Sequence, residues 1–117
     1  MLDTMTTIEI DERIAVDIFG WHRIGGNSNV SMLVPPDGDK RINWAAEWDE
    51  EGRPNWLPKY TLYYSDAFEV LEQFESFKVG KSKSGGYYAT VGNTTYVAET
   101  LPIAICCAAL IEKDKKP

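Results

Sequence analysis

The chain has 117 residues, with 18 acidic side chains against 12 basic ones and a formal net charge of −6. That length fits one domain spanning residues 1–117, and 44% hydrophobic with 26% charged residues is a globular composition, not a disordered one. The acidic balance excludes a binder of double-stranded nucleic acid that works by neutralising phosphates, but it leaves room for a local basic pocket.

Cys106 and Cys107 are the only cysteines. Adjacent residues on a helix point about 100° apart and cannot close a relaxed disulfide. They read as small buried hydrophobes in reduced form, which suits a cytoplasmic home. The opening Met1-Leu2-Asp3-Thr4 lacks the basic and apolar regions of a signal peptide. The longest charge-free apolar stretch, Leu101 to Ile111, falls short of the roughly 20 residues needed to span a membrane.

In chain order, Thr6 and Glu9 have the spacing of a capping box. Ile10, Ile14 and Ile18 recur every four residues, so a helix is predicted over Thr7 to Phe19 and ended by Gly20. Asp11, Glu12 and Asp17 are placed on its other faces. Residues 21–64 read as an irregular aromatic and acidic insertion. Within them, Asn29 to Val34 suggests a short strand and Pro35 to Asp39 a turn. Arg41 to Trp48 suits either a strand or a helical turn, and Glu47 to Gly52 an acidic loop. Ser65 or Asp66 is expected to cap a second helix reaching about Ser76, with Ala67, Val70, Leu71 and Phe74 on its apolar face.

Phe77 to Gly80 reads as the start of a strand. Tyr87 to Val91 and Thr94 to Ala98, split by Gly92-Asn93, carry the pattern of a hairpin with a two-residue turn. Thr100 caps a closing helix with Pro102 in its first turn, ending near Glu112 before Lys113, Lys115 and Lys116. A helix without charge from Leu101 to Ile111 must be covered on more than one side. Deep burial in a layered core and pairing with a second copy both satisfy that need, and they are compatible.

Three segments together resemble the phage ABA sandwich domain family. They are Ile18-Phe19-Gly20-Trp21 after the first helix, Tyr64-Ser65-Asp66 running into Ala67-Phe68-Glu69-Val70-Leu71-Glu72, and Glu99-Thr100-Leu101-Pro102 running into Ile103 to Leu110. The last is the most specific. The resemblance runs in order over nearly the whole chain and is least distinct from Asn27 to Lys59. It implies an α-β-α arrangement in a phage or prophage protein acting inside a bacterial host. It carries no settled activity.

The chemistry-bearing residues are sparse. His22 is the sole histidine, and with two adjacent cysteines it makes no zinc set. It reads as a surface or packing residue in preference to a general base. A Cys-His nucleophile pair conflicts with cysteines set in an apolar helix, where burial raises a thiol pKa. Glu47, Asp49, Glu50 and Glu51 lack the spacing of a calcium loop and read as solvated acids. Gly25-Gly26-Asn27-Ser28-Asn29 is a polar connector without a Walker pattern.

Trp44, Trp48, Trp56, Tyr60, Tyr63 and Tyr64, with Arg41, Arg53 and Lys59 nearby, can pack the irregular segment onto a sheet. They can equally stack a base and pair a phosphate. The expected fold is therefore α/β, a three-layer α-β-α sandwich with a small, partly antiparallel sheet of about four strands and three helices. The candidate ligand-binding residues are Arg23, Arg41, Trp44, Trp48, Arg53, Trp56, Tyr60 and Tyr64. No catalytic residue, metal or cofactor is expected, and no membrane contact. The expected partners are a small nucleotide-like ligand, or a host protein gripped through an acidic and aromatic surface, with Leu101–Glu112 available to pair two copies.

Overall fold

The computed structural model describes residues 4–25, 31–34 and 57–115, with 22–25 and 31–34 as backbone alone. The first helix, α1, spans Thr7–Asp17. Its capping box is complete: Thr6 Oγ1 accepts the Glu9 amide at 3.1 Å, and Glu9 Oε1 accepts the Thr6 amide at 2.9 Å. The helix stops two residues short of the expected Phe19. The Ile18 and Phe19 amides both return to the Ile14 carbonyl, at 3.0 and 3.3 Å, and Gly20 follows at φ 79°.

Strands β1 (His22–Gly25) and β2 (Ser31–Val34) pair antiparallel with each other, His22 opposite Val34. Helix α2 spans Tyr64–Leu71. Two expectations about it are corrected. Its N-cap is Tyr63 with no side-chain hydrogen bond. Asp66 does not cap it, because Asp66 Oδ2 accepts the Lys59 amide at 3.0 Å and so closes the preceding turn. The helix also ends before Ser76, since the Gln73 and Phe74 amides tighten onto carbonyls three residues back.

Strands β3 (Phe77–Lys81), β4 (Tyr87–Val91) and β5 (Thr94–Ala98) form an antiparallel sheet in that order. The β4–β5 hairpin has the predicted register, with Val91 opposite Thr94 across Gly92-Asn93. Every described strand pairing is antiparallel. Helix α3 spans Leu101–Lys115. It runs three residues past Glu112, so Lys113 and Lys115 lie in its last turn, where cations complement unpaired carbonyls.

The result is an α/β sandwich built around α3. One side of α3 packs on β4 and β5, and other sides meet α1 and α2. Ala104 through Leu110 are all buried within a single chain, Cys106 fully and Cys107 to 2% exposure. The apolar circumference is thus used internally, leaving Ile103 and Ile111 half-exposed. Strand alternation turns Val79, Tyr87, Ala89, Val91 and Tyr96 into the core. The opposite sheet face carries Thr90 and Thr95, whose hydroxyls meet at 2.7 Å, and exposed Val97.

One polar lock ties the hairpin turn to α3. Buried Glu112 Oε1 accepts from Thr94 Oγ1 at 2.8 Å and from the Asn93 amide at 3.3 Å. Gly92 is required beside it. Its φ is +59°, and a Cβ there would stand 2.4 Å from Glu112 Oε2.

Candidate functional site

A concavity of about 670 Å³ opens where the first turns of α1 and α3 meet the corner at residues 59–64. Thr7, Ile8 and Asp11 line it from α1, and Thr100, Pro102 and Ile103 from the start of α3. Tyr87 at the start of β4 and Glu99 after β5 close the sheet side. Lys59, Thr61, Leu62 and Tyr64 form the remaining wall.

Local chain chemistry sets this geometry. The corner turns because the Leu62 and Tyr63 amides both donate to the Lys59 carbonyl at 3.0 Å. Thr61 is then pinned to α1, since its amide donates to Asp11 Oδ1 at 2.9 Å across 50 residues of sequence. Asp11 is not on a solvent face as expected. It is buried at 8% exposure, because the Thr61 amide needs an acceptor on the core side of α1. Burial raises the Asp11 pKa, and the hydrogen bond from Thr61 opposes that shift.

The cleft is polar at selected points. Asp11 and Glu99 are acceptors, Lys59 is a cation, and Tyr64 and Tyr87 are aromatic. Its two bounding helix starts carry first-turn amides, which favour negative charge. In α1 the Thr6 hydroxyl takes the Glu9 amide, and in α3 the Thr100 hydroxyl takes the Ile103 amide at 3.4 Å. Among the described residues, no three His, Cys, Asp or Glu side chains gather as a metal site.

Of the residues predicted from sequence, Tyr64 stands at this cleft, 53% exposed and tilted against Phe68 at 6.4 Å between ring centroids. Tyr60 points elsewhere. It is 4% exposed and stacked on Phe19 at 5.2 Å and 12°, inside the core. Burial, with Glu69, Asp66, Cys106 and Asp11 nearby, lifts its hydroxyl pKa well above the usual tyrosine value. Arg23 lies on β1, where the structure describes backbone only. Arg41, Trp44, Trp48, Arg53 and Trp56 lie outside the described residues, as do the acids Glu47 to Glu51.

Sequence reasoning missed Asp11, Thr7, Thr61, Tyr87 and Glu99 as a group. The one available signal was Asp11 itself. It falls on the same helical stripe as Ile14, Ala15 and Ile18, where an acid implies a buried partner.

Neither cysteine has the environment of a nucleophile. Burial raises the Cys106 thiol pKa, helped by Asp11 and Cys107, and burial raises Cys107 against a hydrogen bond with Tyr96. No described helix is long and apolar enough to cross a membrane.

Comparison with known proteins places the fold. A crystal structure at 2.0 Å of a phage protein from Bacillus cereus ATCC 14579 superposes with a TM-score of 0.62 at 24% identity. The match covers 95% of this chain and 90% of that one. No protein of curated function matches significantly. The sequence pattern that defines the phage ABA sandwich domain matches residues 12–110. With that pattern covering most of the chain, and three helices with an antiparallel sheet forming an α/β sandwich, the protein belongs to the phage ABA sandwich domain family.

Proposed function

We propose that this chain is a non-enzymatic phage accessory protein of the bacterial cytoplasm, which captures a small nucleotide-like signal molecule of the host and so blunts a defence response. The supporting observation is the composition of the cleft. A volume of about 670 Å³ lies within the range of about 300–1,000 Å³ usual for small-molecule sites. Its walls combine the aromatic side chains Tyr64 and Tyr87, a cation at Lys59, two helix starts and the acceptor Asp11. A nucleotide needs that mixture: stacking for the base, positive potential for the phosphate and a hydrogen-bonding edge. Both thiols are buried, with pKa values raised by that burial, and binding without turnover suits a sequestering role.

Thermal unfolding with a panel of linear and cyclic nucleotides tests this reading. A ligand held only by the folded state raises the melting temperature. Tyr64→Ala and Lys59→Ala should each reduce the rise. No rise with any nucleotide at saturating concentration sinks the reading.

One observation favours a second reading, a module that docks on a host protein. Ile8, Leu62, Tyr63, Tyr64 and Phe68 are each between 45% and 57% exposed around the same corner. Exposed aromatics of this kind anchor protein interfaces. Co-purification of one stoichiometric host protein, lost in Tyr63→Ala/Phe68→Ala, together with an unresponsive nucleotide panel, would select it.

A further inference from the structure

Resting on the nucleotide reading, we infer that the base this cleft selects is guanine, read by the buried carboxylate of Asp11. Asp11 is 8% exposed and lines the cleft. One of its oxygens, Oδ1, is fixed by the Thr61 amide at 2.9 Å, and the Thr61 side chain also hydrogen-bonds to the carboxylate. The carboxylate retains acceptor capacity, since two oxygens offer about four lone-pair positions. Lys59 lines the same cleft and attracts the carboxylate at long range.

A carboxylate fixed in this way can only accept hydrogen bonds. Among the common bases, guanine alone presents two adjacent donors on its pairing edge, a ring N–H and an exocyclic amino group. That fork matches a carboxylate in the same bidentate manner as a guanidinium. Adenine and cytosine present one amino donor beside a bare ring nitrogen, whose lone pair faces the second oxygen. Uracil presents one donor flanked by two carbonyls. Each mismatch leaves a desolvated acceptor against another acceptor, and sites built on buried polar groups reject such analogues strongly. Glu99, the other acid of the cleft, repels phosphate and so favours a base on the acidic side. Tyr64 and Tyr87 supply rings for the base to stack on.

The test compares the monophosphates of guanosine, inosine, xanthosine and adenosine, by calorimetry on the full chain and on Asp11→Asn. Asparagine keeps a carbonyl oxygen for Thr61 and retains the side-chain shape. It also exchanges one acceptor for a donor, which complements the carbonyl that xanthine carries where guanine has its amino group. The wild type should bind guanosine monophosphate most tightly. Inosine monophosphate, lacking only the amino group, should bind about tenfold to a hundredfold more weakly. Asp11→Asn should prefer xanthosine monophosphate. The guanosine and inosine comparison uses the wild type alone, so it stands even where the variant folds poorly. Equal affinity for all four overturns the guanine assignment and leaves the nucleotide reading intact. No binding of any nucleotide overturns both.

Discussion

Replacing Glu112 with alanine should untie the hairpin turn from α3. The Thr94 hydroxyl, bonded at 2.8 Å and 6% exposed, loses an acceptor in a place water does not reach. The Asn93 amide, bonded at 3.3 Å on an exposed residue, can turn to solvent. The first loss therefore dominates. A hydrogen bond to a charged group contributes about 1.5–3 kcal/mol, and stranding the hydroxyl puts the cost toward the upper end. At a few degrees per kcal/mol for a domain of this size, the melting temperature should fall by about 8–15 °C. Urea unfolding should show a lower midpoint with an unchanged slope, since the folded shape persists. A double-mutant cycle isolates the mechanism. Thr94→Val removes the partner, so the double variant should be little worse than Glu112→Ala alone. Additive losses would mean that Glu112 acts through something other than Thr94, and the lock described above would be wrong.

Three further outcomes follow from the same structure. Asp11→Ala should destabilise by about 1–3 kcal/mol because the buried Thr61 amide loses its acceptor, whereas Asp11→Asn should keep the bond. The pH dependence separates them further. The folded pKa of Asp11 is raised above 3.8, so the native state holds this proton more tightly than the unfolded chain. Its contribution to stability is therefore greatest below pH 3.8 and declines as pH climbs through the raised value. Stability curves for Asp11→Asn should lack that decline, and parallel curves would refute the assignment. Cys106 and Cys107, at 0% and 2% exposure, should resist iodoacetamide in the native chain. Their alkylation should be slower than in denaturant by at least on the order of 10³, since modification requires opening of the core. Thr6→Ala, which removes the hydroxyl that accepts the Glu9 amide and leaves the backbone bond to Glu9 Oε1, should lower the melting temperature by a few degrees.

What could be read in the sequence was local. Thr6 and Glu9 announce their box because both bonds lie within four residues of chain. Gly92-Asn93 announces the hairpin because turn geometry and strand alternation agree there. The charge-free run in α3 required cover on several sides, and the sheet, α1 and α2 supply it. The errors came where distant chain competes for a group. Asp66 has the spacing of a cap, but it is taken by the Lys59 amide. Asp11 looks like an ordinary surface acid until Thr61, 50 residues on, claims it. Tyr60 and Tyr64 look equivalent by composition. One stacks on Phe19 in the core and the other stands at the cleft, because the turn at Lys59 points them apart. The cleft joins residues from Thr7 to Ile103, and no local pattern encodes such a gathering.

The most direct measurement is the amide spectrum of the isotopically labelled chain, titrated with guanosine and adenosine monophosphates. Capture in the cleft should move the signals of Thr7, Ile8, Thr61, Thr100 and Ile103, at lower concentration with guanosine than with adenosine monophosphate, while Val70 and Val91, buried in the core, stay in place. Movement confined to residues remote from the cleft, or none with millimolar ligand, would contradict the assignment of this opening as the binding site.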